Sequence, residues 1–305
     1  LESTDTQVHS DTLYSAICHA WRLLYGSESL EHDLLENQSV LISSCFPWWK
    51  DRFYLPFARN LFPSDKDLKK VRYIEKSDWE KILVGQDFDN SMDRLPRPGA
   101  SYNEDSPIVP PQTPWKVYET PRIGVNRQNN MTDQAFYFLS QIEFMEDAGL
   151  YFFYDVDTKI NDRWLAALRL MADEGLGGDR SVGKGWMPPP QFSAMDISSP
   201  VNADGCILLS LYYPLDSEYS VLQKGYYELI ERRGYIYSPD GTSLQRQPVR
   251  MITEGSVFPV QSKQMVGGIV DVTPEIFNNH RVYRYGRAFG IPCMTGGLCE
   301  TKTQN

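Results

Sequence analysis

The sequence predicts an α+β fold, because helical and strand-like segments are mixed irregularly in both halves of its 305 residues. Apolar residues recur at three- and four-residue steps in two segments, 10–25 and 161–174, and predict two helices. Short apolar segments closed by proline or glycine predict strands elsewhere. With 41% apolar and 13% aromatic residues, the chain has the composition of a soluble globular protein and the length of two domains.

The N-terminal half opens with the first predicted helix, which Ser10 or Asp11 can cap and which Gly26 follows. The apolar segments 39–47 and 53–56 come next, and each contains or ends in a proline. Both are predicted strands.

Residues 85–130 differ in character, since six prolines stand between Pro96 and Pro114. This density is incompatible with regular structure and predicts an extended insertion. After the insertion, alternating apolar residues predict a half-buried strand over 134–144, with 149–156 as its hairpin partner.

The second helix is predicted to be capped by Asn161 or Asp162 and to end at Gly175, where a glycine-rich loop over 175–185 begins. The two aspartates of residues 154–157 are predicted to form a strand-ending turn and a helix cap rather than a metal site. A proline-containing linker follows. The C-terminal half is then predicted to hold strand-like segments at 205–214, 225–238, 248–260, 265–274 and 281–290.

The net charge of −10 argues against a nucleic-acid partner on average, but the average hides two basic segments. Residues 280–290 carry three arginines, a histidine and no acid, and residues 245–250 add two arginines. In a strand, Arg281, Tyr283, Tyr285 and Arg287 would share one face. Tyrosine beside arginine is suited to holding unpaired bases, although a solvated strand face is the simpler alternative.

Cysteine usage predicts a cytoplasmic protein. Five cysteines without C-x-x-C spacing argue against a zinc site and against a disulfide framework. No apolar run approaches the roughly 18 to 20 residues of a membrane helix, and no secretion signal is evident in the printed sequence. We therefore expect no membrane association.

The glycine-rich stretch EGLGGDRSVGKGW, residues 174–186, resembles two nucleotide-binding motifs and fits neither. A P-loop follows a strand and opens a helix, whereas this loop follows a helix, precedes prolines and lacks the Ser or Thr that holds magnesium. The turn of GGDEF cyclases would need an acid where Arg180 stands, and a cation there opposes metal binding. Two alternatives remain open: an anion-binding loop using backbone amides with Arg180 and Lys184, or a tight turn with solvated charges.

Several segments together resemble a known family. VHSDTLYSAICHAW, EGLGGDRSVGKG, LSLYYP, YYELIERRGYIYS, PVRMITEGSVF, GIVDVTP and HRVYRYGRAFGIP are similar, in this order, to segments of the fourth Csm subunit of type III-A CRISPR effector complexes. That family belongs to the RAMP superfamily and binds the 5′ handle of the crRNA. The resemblance spans nearly the whole chain outside 85–130.

The resemblance implies two ferredoxin-like (RRM-like) domains, 1–195 and 200–305, with an inserted β-hairpin thumb at 118–130. It also implies a first strand before residue 1, which we expect either to be missing by truncation or to be supplied by a preceding segment. The expected role is non-catalytic, with no cofactor and no metal. The expected partners are the crRNA 5′ handle, the large polymerase-like subunit and the Csm backbone subunit, with target RNA contacted only indirectly.

The residues expected to contact RNA fall into four groups. The glycine-rich loop contributes Gly177, Gly178, Asp179, Arg180, Ser181, Gly183 and Lys184, and the thumb contributes Arg122 and Arg127. The C-terminal basic segments contribute Arg250, Arg281, Tyr283, Arg284 and Arg287. His9 and Ser10 stand at the start of the first helix, where free amides favour a phosphate, although ordinary capping is an equal alternative.

Two alternative functions are retained. Related RAMP ribonucleases use a histidine near this helix as general base, so His9 could act with Tyr14 or Lys184 in a metal-independent repeat endoribonuclease. The equivalent subunit of a type III-B complex would share the fold and role and differ only in its partners.

Overall fold

The computed structural model describes residues 7–61, 70–87, 91–96, 112–125, 132–178, 180, 183–236, 244–259 and 264–295, with side chains throughout except at 124–125 and 132–137. Helices and antiparallel strands are mixed in both halves, which confirms the α+β class. No helix in these ranges is both long and apolar enough to cross a membrane.

Helix α1 (Ser10–Ser29) runs into a π-helical turn, Leu30–Glu36. Gly26, at a φ of 84°, interrupts α1 at the point where the sequence predicts its end. His9, rather than Ser10 or Asp11, is the N-cap residue, and it makes no side-chain cap bond. The capping prediction is therefore wrong.

The elements of the rest of the N-terminal half are β1 (Val40–Ile42), β2 (Phe46–Trp49), β3 (Arg52–Pro56), β4 (Val71–Glu75), α2 (Lys76–Leu83), β5 (Arg94–Pro96), β6 (Trp115–Val125), β7 (Thr132–Phe144), β8 (Ala148–Tyr151), β9 (Tyr154–Val156) and α3 (Asn161–Glu174). A five-stranded sheet has the order β5-β4-β3-β2-β8, and β1 pairs with β9. Asp157 caps the 3-10 turn before α3 by accepting from the Lys159 amide at 2.9 Å, which confirms the predicted turn. The N-cap residue of α3 itself is Ile160, which makes no side-chain cap bond, so the cap predicted at Asn161 or Asp162 is wrong.

Strands β6 and β7 form a long antiparallel hairpin, in which Trp115 lies opposite Phe144 and Ile123 lies opposite Phe136. The predicted pairing of 134–144 with 149–156 is wrong, because β8 pairs instead with β2. Alternation identified the strand, but it carries no signal for the partner.

The C-terminal half contains β10 (Gly205–Leu208), α4 (Tyr219–Leu222), β11 (Leu229–Arg232), β12 (Val249–Ile252), β13 (Val257–Phe258), β14 (Gly267–Asp271), β15 (Tyr283–Arg287) and β16 (Gly290–Cys293). Its sheets are β13-β10-β16, β11-β12 and β14-β15.

The two halves share a buried junction at α1. The Tyr285 ring of β15 stacks on Tyr14 with 4.5 Å between centroids, and its hydroxyl accepts from the Ile42 amide at 2.9 Å. Trp164 and Leu168 of α3 belong to the same apolar cluster as Tyr14 and Tyr285. Since α3 ends in the glycine-rich loop, this packing fixes where that loop leaves the core.

Candidate nucleic-acid interface

The glycine-rich loop is closed by its own backbone. The Gly175 amide donates to the Met171 carbonyl at 3.0 Å, which ends α3, and the Leu176 amide donates to the Gly185 carbonyl at 2.9 Å. Gly185 has a φ of 72°, and a Cβ there would lie 2.0 Å from the Leu176 carbonyl oxygen. Only glycine can therefore close the loop in this way.

The loop touches the hairpin through Lys184, whose Nζ donates to Oε1 of Gln141 on β7 at 2.8 Å. Gln141 lies opposite Tyr118 in the hairpin register and donates to the Thr120 hydroxyl at 3.3 Å. Because alternate residues of a strand share a face, Tyr118, Thr120 and Arg122 of β6 lie on the side that Lys184 contacts. Loop and hairpin thus form one surface, bordered by two of the predicted cationic residues.

Arg180, on the same loop, lies close enough to α1 to act on His19. Burial has the largest effect in lowering the His19 pKa, and the charges of Arg180 and Arg22 lower it further. His19 and Arg22 are not among the residues predicted from the sequence to bind RNA. The sequence pattern that could have identified them is a polar face of α1, formed at three- and four-residue steps by Thr12, Ser15, His19 and Arg22.

Trp186 directly follows the loop and is 63% exposed, the most exposed of the seven tryptophans. An exposed indole beside a cationic loop is a surface on which an unpaired base can stack. Trp186 was not predicted from the sequence either, although a tryptophan flanked by Gly-Lys-Gly and by prolines has few apolar neighbours in the chain with which to form a core.

Comparison with known protein families identifies the family to which this chain belongs. The RAMP superfamily model matches residues 5–187, and the model of the CRISPR Csm4 C-terminal domain matches residues 201–293. The chain belongs to the RAMP superfamily and, within it, to the Csm4 family.

Curated relatives of this Csm4-family chain include the CRISPR system Cms protein Csm4 of Thermococcus onnurineus, 26% identical over 92% of this chain and 90% of the relative. The Csm4 protein of Methanocaldococcus jannaschii is 24% identical over 96% of this chain and 92% of its own length.

Solved structures share the fold. A chain of the Csm3–Csm4 subcomplex from the type III-A CRISPR-Cas interference complex superimposes with a TM-score of 0.65 at 19% identity, covering 95% of this chain and 96% of that one. A chain of the Csm1–Csm4 cassette in complex with cA4 gives 0.60 at 20% identity, covering 96% and 95%.

His9 and Ser10 are buried in this Csm4-family chain, so the prediction that they contact RNA at the surface is wrong. His9 is 6% exposed and its Nδ1 lies 2.9 Å from a carboxylate oxygen of Glu254. Ser10 is fully buried, and its hydroxyl accepts from the Leu211 amide at 3.0 Å. Both side chains therefore bind the C-terminal half rather than face a phosphate.

The burial of His9 also bears on the endoribonuclease alternative. A general base must come within hydrogen-bonding reach of the proton it removes, and this ring is enclosed beside Glu254. Tyr14 is buried with its hydroxyl donating to the Leu34 carbonyl, and Lys184 lies on the hairpin contact. No group of three or more potential metal ligands is assembled within the described part of the chain.

Strand β15 does not present the expected arginine and tyrosine face. Arg284 and Tyr285 are 3% and 1% exposed, because the strand is enclosed between α1 and its neighbours. Arg287 donates to the Gln38 and Val40 carbonyls at 2.8 and 2.9 Å. Tyr283 is 37% exposed, and Arg281 is exposed 3.3 Å from Asp271.

The remaining predicted residues divide into three sets. Arg250 is exposed on β12, opposite Glu231, and the structure does not bring it together with the glycine-rich loop. Gly177, Gly178 and Gly183 lie exposed on the loop beside Lys184. Arg127, Asp179 and Ser181 lie outside the described residues.

Proposed function

We propose that this chain is a non-catalytic subunit of a type III-A Csm effector complex that binds the 5′ handle of the crRNA. The observation that supports it most directly is the contact between Lys184 and Gln141, which joins the glycine-rich loop and the β6–β7 hairpin into one surface. A single strand crossing that surface would meet backbone amides, cations and exposed aromatic rings together.

Each part of the surface has chemistry suited to RNA. Glycine amides with Arg180 and Lys184 can hold backbone phosphates, and the exposed rings of Trp186 and Tyr118 offer flat faces for bases. We propose that the hairpin is the thumb, with Arg122 positioning the guide beside the handle. Stacking combined with cation contacts is the usual way in which proteins bind unpaired strands.

The proposed partners follow from the relatives. Csm4 chains of the same fold have been solved with Csm3 and with Csm1. We propose that this chain likewise docks on the backbone subunit and on the large polymerase-like subunit, in the cytoplasm, and reaches target RNA only through the guide. The assignment of 1–195 and 200–305 as two ferredoxin-like domains remains part of this proposal.

A titration with labelled handle RNA at several salt concentrations tests the proposal. The double variant Arg180→Ala, Lys184→Ala should bind more weakly, and its plot of log affinity against log salt should be flatter by about 1 to 1.5, since two fewer phosphate contacts release fewer counterions. The matched control is Arg52→Ala, Lys81→Ala, which removes the same charge from exposed pairs with Asp93 and Asp78.

Unchanged affinity and slope in the loop variant would exclude the loop from the RNA contact. Metal-independent cleavage of a labelled repeat RNA, abolished by His9→Ala, would contradict the non-catalytic role instead.

A further inference from the structure

Two arginines from the C-terminal half bind one carboxylate of α1. Arg232 donates through Nε and Nη2 to the two carboxylate oxygens of Asp11, each at 3.0 Å. Arg284 donates to Asp11 as well, and through Nη2 to the Arg233 carbonyl at 2.6 Å. Asp11 and Arg284 are 2% and 3% exposed. The carboxylate is therefore already shared between two guanidinium groups.

Arg246 brings a third positive charge to the same place. Its amide donates to the Gly234 carbonyl at 2.8 Å, which sets the residue beside the cluster. Burial and the charges of Arg284 and Arg232 lower its pKa, and Asp11 opposes them. The Nε atoms of Arg246 and Arg284 are buried and donate to no acceptor among the described residues.

This arrangement leaves positive charge uncompensated. Two guanidinium groups bind one carboxylate and a third lies near enough to interact with it electrostatically, and buried charge of one sign is costly unless an anion pairs with it. Arg232 keeps 20% of its side chain exposed and Arg246 is also partly exposed, so an external anion can reach the cluster.

The polar face of α1 connects the arginine cluster with the glycine-rich loop. Nη2 of Arg232 also donates to the Thr12 hydroxyl at 3.0 Å, and Thr12 begins the polar face of α1 that continues to His19. Arg180 of the loop acts on His19. Asp11 and His19 are about 12 Å apart along the helix axis, a length that about four stacked nucleotides span.

We infer that Arg232, Arg246 and Arg284 form a second anion site, which binds a backbone phosphate of the same RNA strand that the glycine-rich loop holds. The inference rests on the proposed function. The planar guanidinium groups can donate two hydrogen bonds to the oxygens of one phosphate. Because the polar face of α1 connects the cluster with the glycine-rich loop, we favour the RNA strand over an acidic side chain of a partner protein as the source of the anion.

The experiment compares Arg246→Gln with Arg233→Gln, using handle RNA of full length and RNAs shortened stepwise from either end. Arg233 is an exposed neighbour paired with Glu231, so its variant removes the same charge outside the cluster. Arg246→Gln should weaken binding about tenfold and flatten the salt plot by about 0.7, whereas Arg233→Gln should change neither. Arg246→Lys should keep the slope.

The defect of Arg246→Gln should disappear with RNAs too short to reach the cluster, while the defect of the loop double variant persists. Equal binding of full-length RNA by Arg246→Gln and the wild-type protein would overturn this inference alone. Loss of a co-purified protein subunit with unchanged RNA affinity would also overturn it, because the anion would then belong to a partner. A wild-type protein that binds no handle RNA would overturn the proposed function as well.

Discussion

Asp11 is the residue whose removal should most weaken the junction between the halves. Asp11→Asn would leave the buried Arg284 without its carboxylate, and breaking a buried pair in this way costs about 3 to 5 kcal/mol of unfolding free energy. Urea denaturation measures the loss. Glu231→Gln is the control, since its pair with Arg233 is exposed and should contribute less than about 1 kcal/mol.

The effect of Asp11 should also depend on pH. Burial by itself would raise the Asp11 pKa, but Arg232 and Arg284 outweigh it and hold the pKa below 3.8. A depressed carboxyl pKa stabilises the fold above the unfolded value and loses that contribution as the pH falls through the folded value. The stability gap between the wild-type protein and Asp11→Asn should therefore shrink below about pH 4. A gap that stays constant from pH 7 to pH 3 would contradict this assignment.

At single residues, sequence reasoning failed where partners are distant in the chain. Arg284 was expected to face RNA, yet it pairs with Asp11, 273 residues away. His9 pairs with Glu254, 245 residues away. Local pattern identifies which residues carry charge, but it cannot show that a buried carboxylate from the other half has already bound that charge.

At the scale of elements, the glycine-rich loop depends on Gly185 more than on its other glycines. Gly185→Ala would place Cβ against the Leu176 carbonyl and would strain a positive φ, so about 1 to 3 kcal/mol of stability should be lost, together with handle affinity. Gly178→Ala is the control for folding, since no atom lies within 4 Å of a Cβ there and its φ is not positive. Thermal melting and RNA titration of both variants measure the two effects.

If Gly178→Ala lowered the melting temperature as much as Gly185→Ala, the backbone closure at Leu176 would not be what holds the loop together. Reduced affinity of Gly178→Ala at unchanged stability is a different outcome, and it would indicate that RNA approaches the backbone there.

Elements with a strong local signal were predicted well. The apolar steps of residues 10–25 and 161–174 identified α1 and α3, and Gly26 marked the break in the first. The hairpin was missed as a pair, because β6 lies within the segment 85–130 that its prolines marked as irregular. Pro121 is compatible with a strand of a two-stranded hairpin, where one edge is unpaired.

Across the whole molecule, charge is distributed differently from the sequence expectation. The basic segment 280–290 was expected to form a cationic strand, but Arg284 and Arg287 bind Asp11 and backbone carbonyls within the fold. The cationic surface is assembled instead from Arg180 and Lys184 of the glycine-rich loop and from Arg122 of β6. Their meeting depends on the packing of α3 and of the hairpin, which single-segment patterns do not encode.

The same packing predicts that both halves unfold together. Tyr285→Phe keeps the ring on Tyr14 but removes the hydroxyl that accepts from the buried Ile42 amide, at a cost of about 1 to 3 kcal/mol. Because Tyr285 belongs to one half and Ile42 to the other, calorimetry of Tyr285→Phe should show a single transition whose melting temperature is about 2 to 6 °C lower. The control Tyr219→Phe, which changes a half-exposed ring, should leave the melting temperature unchanged. Two transitions, of which only one moves, would instead mean that the halves are stable independently. The contacts at α1 would then position the glycine-rich loop without joining the halves into one folding unit.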